Sequence, residues 1–454
     1  MDFEFDLITL GAGSGGVAAS RRAALHGAKV AIVEGGRVGG TCVLRGCVPK
    51  KLLMYAAQFG DGLADARGYG WQVPAARFDM PTWAAAKAAE TTRLEGIYRQ
   101  MLTGSGVQLV EGWGQLTGPH TVQVGSRTLT ARHILVATGG APVRDSIPGI
   151  DACATSDDLL DLQTLPARAA VVGSGFIAVE FASMLARLGV QVALFYRSNL
   201  PLRGFDAMLR TAAASALQAA GVELHPGAVP QRIQRDGDQF LLVLGEDRML
   251  AFPWVLNATG RRPNTAGLGL ALDEHGAVPV DDQCNTAVPG VYAIGDVTNR
   301  KNLTPVAIAE GRALADRLFS PSHRPVDLRL VASAVFMLPP LATVGPTEEE
   351  ALAAGHRLQV FETDFRPMKQ AFIGGTERTA MKLLVDADTQ RVLAVHMAGA
   401  DAPEIVQSLA VALTAGASKE HFDRTIAMHP TAAEEFVLMR QPSRTVAPAP
   451  AAAS

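Results

Sequence analysis

The chain has 454 residues, a formal net charge of −3 at neutral pH, 48% hydrophobic residues and four cysteines. This length exceeds what one core usually supports and predicts about three domains, while the near-neutral charge argues against nucleic acid as a partner. No apolar run approaches the roughly 20 residues that span a bilayer, which argues against a membrane protein. The acidic start is unlike a signal peptide, so we expect a cytoplasmic location.

The first predicted element is a buried strand over residues 5–10, followed by a glycine-rich turn, a helix and a second strand ending at Glu34. Backbone amides of such a turn can approach a pyrophosphate at the helix N-terminus, and the acid can accept from ribose hydroxyls. The agreement of strand, turn, helix, strand and acid predicts a dinucleotide site. The candidate binding residues of this site are Gly11, Gly13, Ser14, Gly15, Gly16 and Glu34.

Two cysteines, Cys42 and Cys47, come next, just before an apolar helical run near Pro49. Four intervening residues let the sulfurs meet across a short loop, and a helix N-terminus there would favour a thiolate. A structural disulfide is one alternative, and half of a zinc site completed by Cys153 and Cys284 is another. Because cysteines are sparse and neither remaining cysteine has a paired spacing, we favour redox catalysis and predict no metal site.

A second strand–turn–helix–strand unit occupies residues 169–196, with glycines at Gly173 and Gly175. Two such units predict two dinucleotides. No acid ends the last strand; Arg197 stands there and Arg203 follows. An acid would repel a ribose 2′-phosphate, whereas arginine can bind it through charge-assisted hydrogen bonds. This unit therefore predicts NADPH rather than NADH, with solvated surface arginines as the alternative.

The remaining segments predict how the domains are arranged. We place the first nucleotide-binding domain at 1–140, the second at 141–258, and a central segment that completes the first domain at 259–329. Alternating strands and helices without a further glycine turn predict an interface domain at 330–440. The Pro/Ala-rich end predicts a disordered tail at 441–454.

The order of the motifs is specific: the redox loop, both glycine turns, residues 259–264, Gly295-Asp296, and residues 429–435. From residue 5 to about 440 the chain resembles the pyridine nucleotide-disulfide oxidoreductases, and among them the glutathione reductases most closely. The resemblance implies an α/β fold with two Rossmann-like dinucleotide-binding domains, FAD in the first and NADPH in the second. It also implies an α+β C-terminal dimerisation domain, a homodimer with shared active sites, and glutathione disulfide as substrate.

By resemblance, Cys47 is expected to lie nearest the flavin and Cys42 to attack the substrate. His429 of the second subunit would protonate the leaving thiol, and Glu434 would fix the histidine tautomer. Cys47 would then attack Cys42 in the mixed disulfide and release the second glutathione.

The resemblance implies further contacts to the cofactors and the substrate. Lys50 and Glu180 match a pair near the flavin N5 edge, where a cation would stabilise reduced flavin. Further FAD contacts are expected at Thr41, Lys50, Thr138, Gly139, Asp296 and Thr304, and further NADPH contacts at Ile177 and Gly260. Glutathione disulfide is anionic, and its expected contacts are Ser14, Arg21, Tyr98 and Arg312.

Two alternatives stay open. Dihydrolipoamide dehydrogenase would favour an acid in place of Arg197, which leaves it the best alternative within the family. A flavin-binding assembly or redox-sensing protein with passive cysteines is the alternative from another class. The chain also departs from the family pattern: Phe176 stands where a tyrosine often covers the flavin, and Met337-Leu338 replaces a more polar pair.

Overall fold

The first part of the chain is built around a parallel sheet whose strands are almost continuously buried, as expected for strands covered by helices on both faces. The computed structural model describes residues 2–321 and 324–448. The predicted strand–helix–strand unit is β1 (Phe5–Leu10), α1 (Ser14–Leu25) and β2 (Val30–Glu34). The next elements are α2 (Gly40–Leu44), α3 (Cys47–Gly68), α4 (Met80–Gly104), β3 (Gln108–Glu111), β4 (Gly114–Gly118), β5 (Thr121–Val124) and β6 (Arg127–Val136).

The strand order of this first sheet is β3-β2-β1-β6-β5-β4. Strands β3, β2, β1 and β6 run parallel, so their carboxyl ends lie at one edge, which is where open α/β sheets bind ligands. The glycine turn follows β1 at this edge, and the Cys42–Cys47 segment begins shortly after β2 ends there.

A second parallel sheet forms the middle of the chain. Its part of the chain comprises β7 (Gly140–Pro142), a 3-10 helix (Ile150–Ala152), α5 (Ser156–Leu160), β8 (Arg168–Val172), α6 (Phe176–Arg187), β9 (Gln191–Tyr196), α7 (Ala207–Ala219), β10 (Glu223–Pro226), β11 (Arg232–Asp236), β12 (Gln239–Val243), β13 (Met249–Phe252), β14 (Val255–Asn257) and β15 (Arg261–Pro263). The parallel order is β10-β9-β8-β14, and β11, β12 and β13 form a separate antiparallel sheet. Strands β7 and β15 pair where the chain enters and leaves this region.

The chain then returns to the first sheet through β16 (Val291–Ala293), a 3-10 helix (Gly295–Thr298) and α8 (Thr304–Phe319). Strand β16 pairs in parallel with β6. Helix α8 packs on α1, where Arg22 Nε donates to Asp316 Oδ1 at 2.5 Å. This return places Asp296 and Thr304 near the carboxyl edge of the first sheet.

The C-terminal region contains an antiparallel sheet with α11 packed on β18 and β21. Its elements are β17 (Ser333–Val335), β18 (Leu341–Val344), α9 (Glu348–Ala353), β19 (Leu358–Phe365), α10 (Met368–Phe372), β20 (Thr379–Asp386), β21 (Val392–Ala398), α11 (Ala402–Thr414), α12 (Lys419–Arg424), a 3-10 helix (Ala432–Glu434), α13 (Glu435–Leu438) and β22 (Arg444–Val446). The strand order is β17-β18-β21-β20-β19-β22.

The predicted fold class is confirmed: two Rossmann-like parallel units are followed by an α+β domain. The predicted disorder from residue 441 is wrong for β22, which pairs with β19 from Val360↔Arg444 to Leu358↔Val446. Its backbone groups complete the edge of the sheet, so Arg444 to Val446 are ordered by tertiary pairing. Residues 449–454 lie outside the described residues, and the numerical domain boundaries stay predictions. Across the described ranges no helix is long and apolar enough to cross a membrane.

Candidate active site

The two cysteines of the predicted redox loop lie together where α2 gives way to α3. Both are free thiols; Cys42 is half-buried within α2, and Cys47 is the first residue of α3 and reaches solvent. The two thiols interact with each other, and Cys47 Sγ lies 3.5 Å from Thr304 Oγ1. Pro49 stands in the first turn of α3, where a missing backbone N–H costs nothing. The arrangement holds two sulfurs side by side at a helix N-terminus.

The pKa values of the two thiols are shifted in opposite directions. The hydrogen bond from Cys42 has the largest effect on the pKa of Cys47 and lowers it. Burial raises this pKa, but Thr304 and Lys50 lower it further, and the result is a pKa of about 6. The same hydrogen bond, together with burial, raises the pKa of Cys42. Near neutral pH the reduced pair therefore carries one proton, on Cys42, and Cys47 is the thiolate.

Cys153 and Cys284 are buried in two different hydrophobic cores, away from this pair. Burial raises the pKa of both thiols, to about 12 for Cys153. In the described part of the chain no three His, Cys, Asp or Glu side chains come together as metal ligands. The placement of these two cysteines argues against the zinc alternative.

A buried ion pair lies one helical turn past Cys47. Lys50 Nζ is 2.7 Å from Glu180 Oε1, so α3 is joined to α6. Glu180 is 1% exposed, and its Oε1 also accepts from Phe336 N at 2.7 Å. The pair therefore connects the redox helix, the second nucleotide unit and the start of the C-terminal sheet.

The first glycine turn has the backbone geometry of a dinucleotide site. Gly11 has φ +103°, and a Cβ there would lie 2.5 Å from Ala137 O. A Cβ on Gly16 would lie 2.0 Å from Gly11 O, so neither position accepts a side chain. Helix α1 begins after Gly13 with no side-chain cap, which leaves its first amides for an anion.

Polar groups around this turn also fit a dinucleotide. Glu34 accepts from Ala12 N at 2.7 Å and from Gly36 N at 2.8 Å, which fixes the carboxylate at the end of β2. Ser14 Oγ is buried near Cys42 and makes no hydrogen bond of regular geometry within the described ranges. Gly15 is buried against α8, and Thr41 is exposed in α2.

The later FAD-contact candidates surround the same edge. Thr138 Oγ1 donates to Asn264 O at 2.7 Å, next to Gly139 with φ +69°. Burial raises the pKa of Asp296, which sits at the start of its 3-10 helix. Thr304 is the first residue of α8, and its Oγ1 is the group that lies 3.5 Å from Cys47 Sγ.

The second glycine turn repeats this geometry. Gly173 has φ +131°, and a Cβ there would lie 2.2 Å from Ala258 O. Helix α6 begins after Gly175 with no side-chain cap, so its first amides are also available. Gly260 has φ +146° just after β14, and Ile177 is half-buried in α6.

The two arginines of this unit are exposed at the carboxyl end of β9. Within residues 2–321 and 324–448, Arg197 and Arg203 make no ion pair or side-chain hydrogen bond. Phe176, the first residue of α6, is 45% exposed beside the same turn. Two cations and one aromatic ring therefore face solvent at the carboxyl edge of the second parallel sheet.

The four substrate candidates lie on three helices, α1, α4 and α8, and both α4 and α8 pack on α1. Arg21 Nε donates to Ser105 Oγ at 3.1 Å, so part of its guanidinium is engaged within the chain. Tyr98 is half-buried near Ser14, and burial raises its pKa. Arg312 is exposed on α8.

His429 lies in the C-terminal domain, after α12. Its Nδ1 is 3.1 Å from both carboxylate oxygens of Glu434, and the histidine side chain is 80% exposed. Among the described residues no contact joins His429 to Cys42 or Cys47. The structure thus forms the His429–Glu434 pair but does not bring it to the cysteines of the same chain.

Comparison with known proteins agrees with this geometry over nearly the whole chain. A family model described as pyridine nucleotide-disulphide oxidoreductase matches residues 5–311. A second, described as the dimerisation domain of pyridine nucleotide-disulphide oxidoreductase, matches residues 331–440. The chain belongs to the pyridine nucleotide-disulphide oxidoreductase family. The family resemblance inferred from the sequence is confirmed.

Curated relatives in this family include three glutathione reductases. The protein of Burkholderia cepacia is 45% identical over 443 residues, covering 96% of this chain and 99% of its own length. The chloroplastic/mitochondrial protein of Pisum sativum is 44% identical, covering 98% of this chain and 84% of its own length. The protein of Nostoc sp. is 43% identical, covering 97% of this chain and 100% of its own length.

One contact in this oxidoreductase was missed by sequence reasoning. Phe336 supplies the backbone N–H to Glu180, and its ring lies 4.4 Å from Lys50 Nζ, which is cation–π distance. Its separation of 156 residues from Glu180 leaves no local signal in the sequence. The neighbouring Met337 and Leu338 are buried against α6, so the unusual apolar pair fills the core at this position.

The pKa of Cys47 provides a direct test of the cysteine geometry. In the reduced oxidoreductase, thiolate absorbance at Cys47 should appear above a midpoint near pH 6 and be lost below it. Cys42→Ala removes the main stabilising donor, so the pKa should move up toward the ordinary thiol value. Cys42→Ser keeps a hydroxyl donor and should raise the pKa less. A midpoint that is the same in all three proteins would contradict the hydrogen bond.

Proposed function

We propose that this oxidoreductase is an NADPH-dependent flavoprotein that reduces glutathione disulfide to two glutathione molecules. The observation that carries the proposal is the Cys42–Cys47 pair, which lies beside the first glycine turn, where helix α1 begins without a side-chain cap. The chain is also 43–45% identical to three glutathione reductases. One NADPH, one proton and one glutathione disulfide yield NADP⁺ and two glutathiones. The reaction would help maintain cellular thiol redox balance in the cytoplasm.

The residues of the first unit would hold FAD. Amides at the start of α1 would face the pyrophosphate, Glu34 a ribose, and Asp296 a further hydroxyl. The Lys50–Glu180 pair would place a cation beside the flavin, where it would stabilise the reduced form. When bound, FAD would supply a two-electron relay between the nicotinamide and the cysteines.

The cysteines would perform the exchange steps. Cys42 gives its proton to His429 of the second subunit, and its Sγ attacks one sulfur of glutathione disulfide; the substrate S–S bond breaks, and a mixed disulfide with Cys42 forms. The leaving glutathione thiolate takes a proton from His429 of the second subunit, whose tautomer Glu434 fixes. Cys47 thiolate then attacks Cys42 Sγ, which forms the Cys42–Cys47 disulfide and releases the second glutathione.

The homodimer is part of the proposal. The match to the dimerisation domain supports it, as does an exposed His429 that pairs with Glu434 but does not meet the cysteines of its own chain. Arg21 and Arg312 would bind carboxylates of the anionic substrate, with Ser14 and Tyr98 completing the pocket.

A steady-state comparison tests the function. NADPH and NADH are each combined with glutathione disulfide, lipoamide and trypanothione disulfide, and kcat/KM is measured for every pair. The proposal expects the highest value for NADPH with glutathione disulfide. The highest value for NADH with lipoamide would favour dihydrolipoamide dehydrogenase instead. Retention of flavin with negligible turnover of every disulfide would favour a redox sensor.

Replacing the two exposed arginines tests the choice of nucleotide. Arg197→Met or Arg203→Met should each lower kcat/KM for NADPH by about 10- to 100-fold, since a charge-assisted hydrogen bond contributes about 1.5–3 kcal/mol. The value for NADH should change little, because NADH lacks the 2′-phosphate. Arg232→Met is the matched control, because Arg232 is an exposed arginine on β11 of the same domain. Equal losses with both nucleotides would contradict this role.

A further inference from the structure

A buried group of charges joins the second nucleotide-binding domain to the C-terminal sheet. Lys382 on β20 is 2% exposed, and its Nζ donates to the Asp206 carboxylate oxygens at 3.0 and 3.1 Å. It also donates to Glu348 Oε2 at 2.5 Å. Asp206 is 1% exposed and is the N-cap of α7, where it accepts from Met208 N at 3.0 Å. Because an unpaired buried charge is unfavourable, this pair fixes α7 relative to β20.

Lys382 is the cation that balances Asp206. Burial would lower the pKa of Lys382, but its hydrogen bonds to Glu348 and Asp206 raise that pKa above the ordinary value. His396 is fully buried, and its Nε2 lies 3.8 Å from Asp206 Oδ2. Burial lowers the pKa of His396 to about 4, so the histidine is neutral near pH 7.

Asp206 ends the loop that begins at Arg197 and contains Arg203. At the middle of this loop, Leu202 is fully buried with φ +56°, and its N–H donates to Ser174 O at 2.8 Å. Arg203 follows directly and points to solvent without an ion pair in the described part of the chain. Its position therefore depends on the backbone at Leu202 on one side and at Asp206 on the other.

Helix α7 supports the same loop. Arg210 donates from Nε to Pro201 O at 3.0 Å and from Nη2 to Leu200 O at 3.1 Å. A shift of the α7 N-terminus would therefore move the loop carbonyls together with Asp206. The loop between the two exposed arginines is thus held by the glycine turn, by α7 and, through Asp206, by the C-terminal sheet.

We propose that Lys382 is a positioning residue for nucleotide selection: by holding Asp206 it keeps Arg203 where the guanidinium meets a ribose 2′-phosphate. The inference rests on the proposed function for the role of Arg203. Lys382 itself contacts Asp206, Glu348 on α9 and Glu362 on β19. It therefore acts through the loop and is not a nucleotide-binding residue.

The test measures the preference for NADPH over NADH and not activity alone. Lys382→Met in the full-length holoenzyme should raise KM for NADPH roughly tenfold, because small displacements of a positioned group have large effects. Saturated kcat and KM for NADH should change by less than about twofold. Binding of adenosine 2′,5′-bisphosphate, measured by calorimetry, should weaken by about the same factor as NADPH, whereas binding of adenosine 5′-monophosphate should not.

A double-mutant cycle with Arg203→Met shows whether Lys382 affects NADPH binding through Arg203. If Lys382 acts through Arg203, adding Lys382→Met to Arg203→Met should produce little further loss for NADPH. Lys87→Met is the matched control, since Lys87 is 8% exposed and pairs with Asp161 at 2.8 Å without touching the loop. This control should leave the ratio of NADPH to NADH use unchanged.

A second variant covers the case in which Lys382→Met does not fold. Asp206→Asn combined with Lys382→Met removes both buried charges and keeps a side chain that can cap α7. This protein should fold and show the same loss of NADPH preference. Equal losses with NADPH and NADH, full additivity with Arg203→Met, or an unchanged preference in either variant would overturn the inference. If the parent enzyme reduces glutathione disulfide with NADPH, such a result leaves the proposed function intact; a parent without that activity refutes the function itself.

Discussion

Replacing Cys42 with serine is expected to lower the rate of glutathione disulfide reduction by about three orders of magnitude or more, since no other group in the proposed reaction forms the mixed disulfide. Reduction of bound flavin by NADPH should persist, because the two glycine turns and the Lys50–Glu180 pair are unchanged. Stopped-flow loss of flavin absorbance measures the first half of the reaction. Steady-state release of glutathione measures the second half.

Cys153→Ala is the matched control for the serine variant. Cys153 is buried in the core of the second domain and has no role in the proposed reaction, so this variant should keep its activity. Cys47→Ser should also stop turnover, but after one substrate has been attacked, so a mixed disulfide on Cys42 should accumulate and be visible by mass spectrometry. Undiminished turnover in Cys42→Ser would mean that Cys42 is not the attacking sulfur.

The parts of the site that were predictable from the sequence are those set by the local backbone. Gly11 and Gly173 mark strand-to-helix turns because backbone carbonyls fill the space where a Cβ would lie. The cysteine spacing likewise indicates a shared site, since the sulfurs of α2 and the start of α3 need no tertiary partner to meet. Each strand–turn–helix–strand unit was likewise predictable, because it is one continuous segment of the chain.

Contacts made across long separations could not be predicted in this way. Lys382 reads as an ordinary strand lysine, yet it is buried because Asp206, 176 residues earlier, reaches it from α7. The strand at Arg444 to Val446 lies in a segment that resembles a disordered tail, and pairing with the free edge of β19 orders it. The bond from Arg21 to Ser105, directly after α4, depends on how α1 and α4 pack. Such features need the folded chain.

The role of His429 gives the second large expected effect. His429→Ala should lower kcat/KM for glutathione disulfide by about 10²- to 10⁴-fold, the usual contribution of a general acid. Flavin reduction by NADPH should be unchanged. Glu434→Gln should have a smaller effect, because the amide can still contact Nδ1, at 3.1 Å in the parent, but no longer accepts with a full charge. A loss of equal size for flavin reduction would point to misfolding rather than lost acid catalysis.

Hybrid dimers distinguish a shared site from a site within one chain. Mixing Cys42→Ser subunits with His429→Ala subunits pairs an intact cysteine of one chain with an intact histidine of the other at one of the two sites. With random assembly, half the dimers are hybrids, so activity should return to about one quarter of the parent value. Hybrids purified by two different tags should show about half. Each variant alone should keep about 1% of the parent activity or less, which makes the recovery specific. An inactive hybrid would place His429 and Cys42 in the same chain's site and exclude the shared arrangement, whatever the oligomeric state.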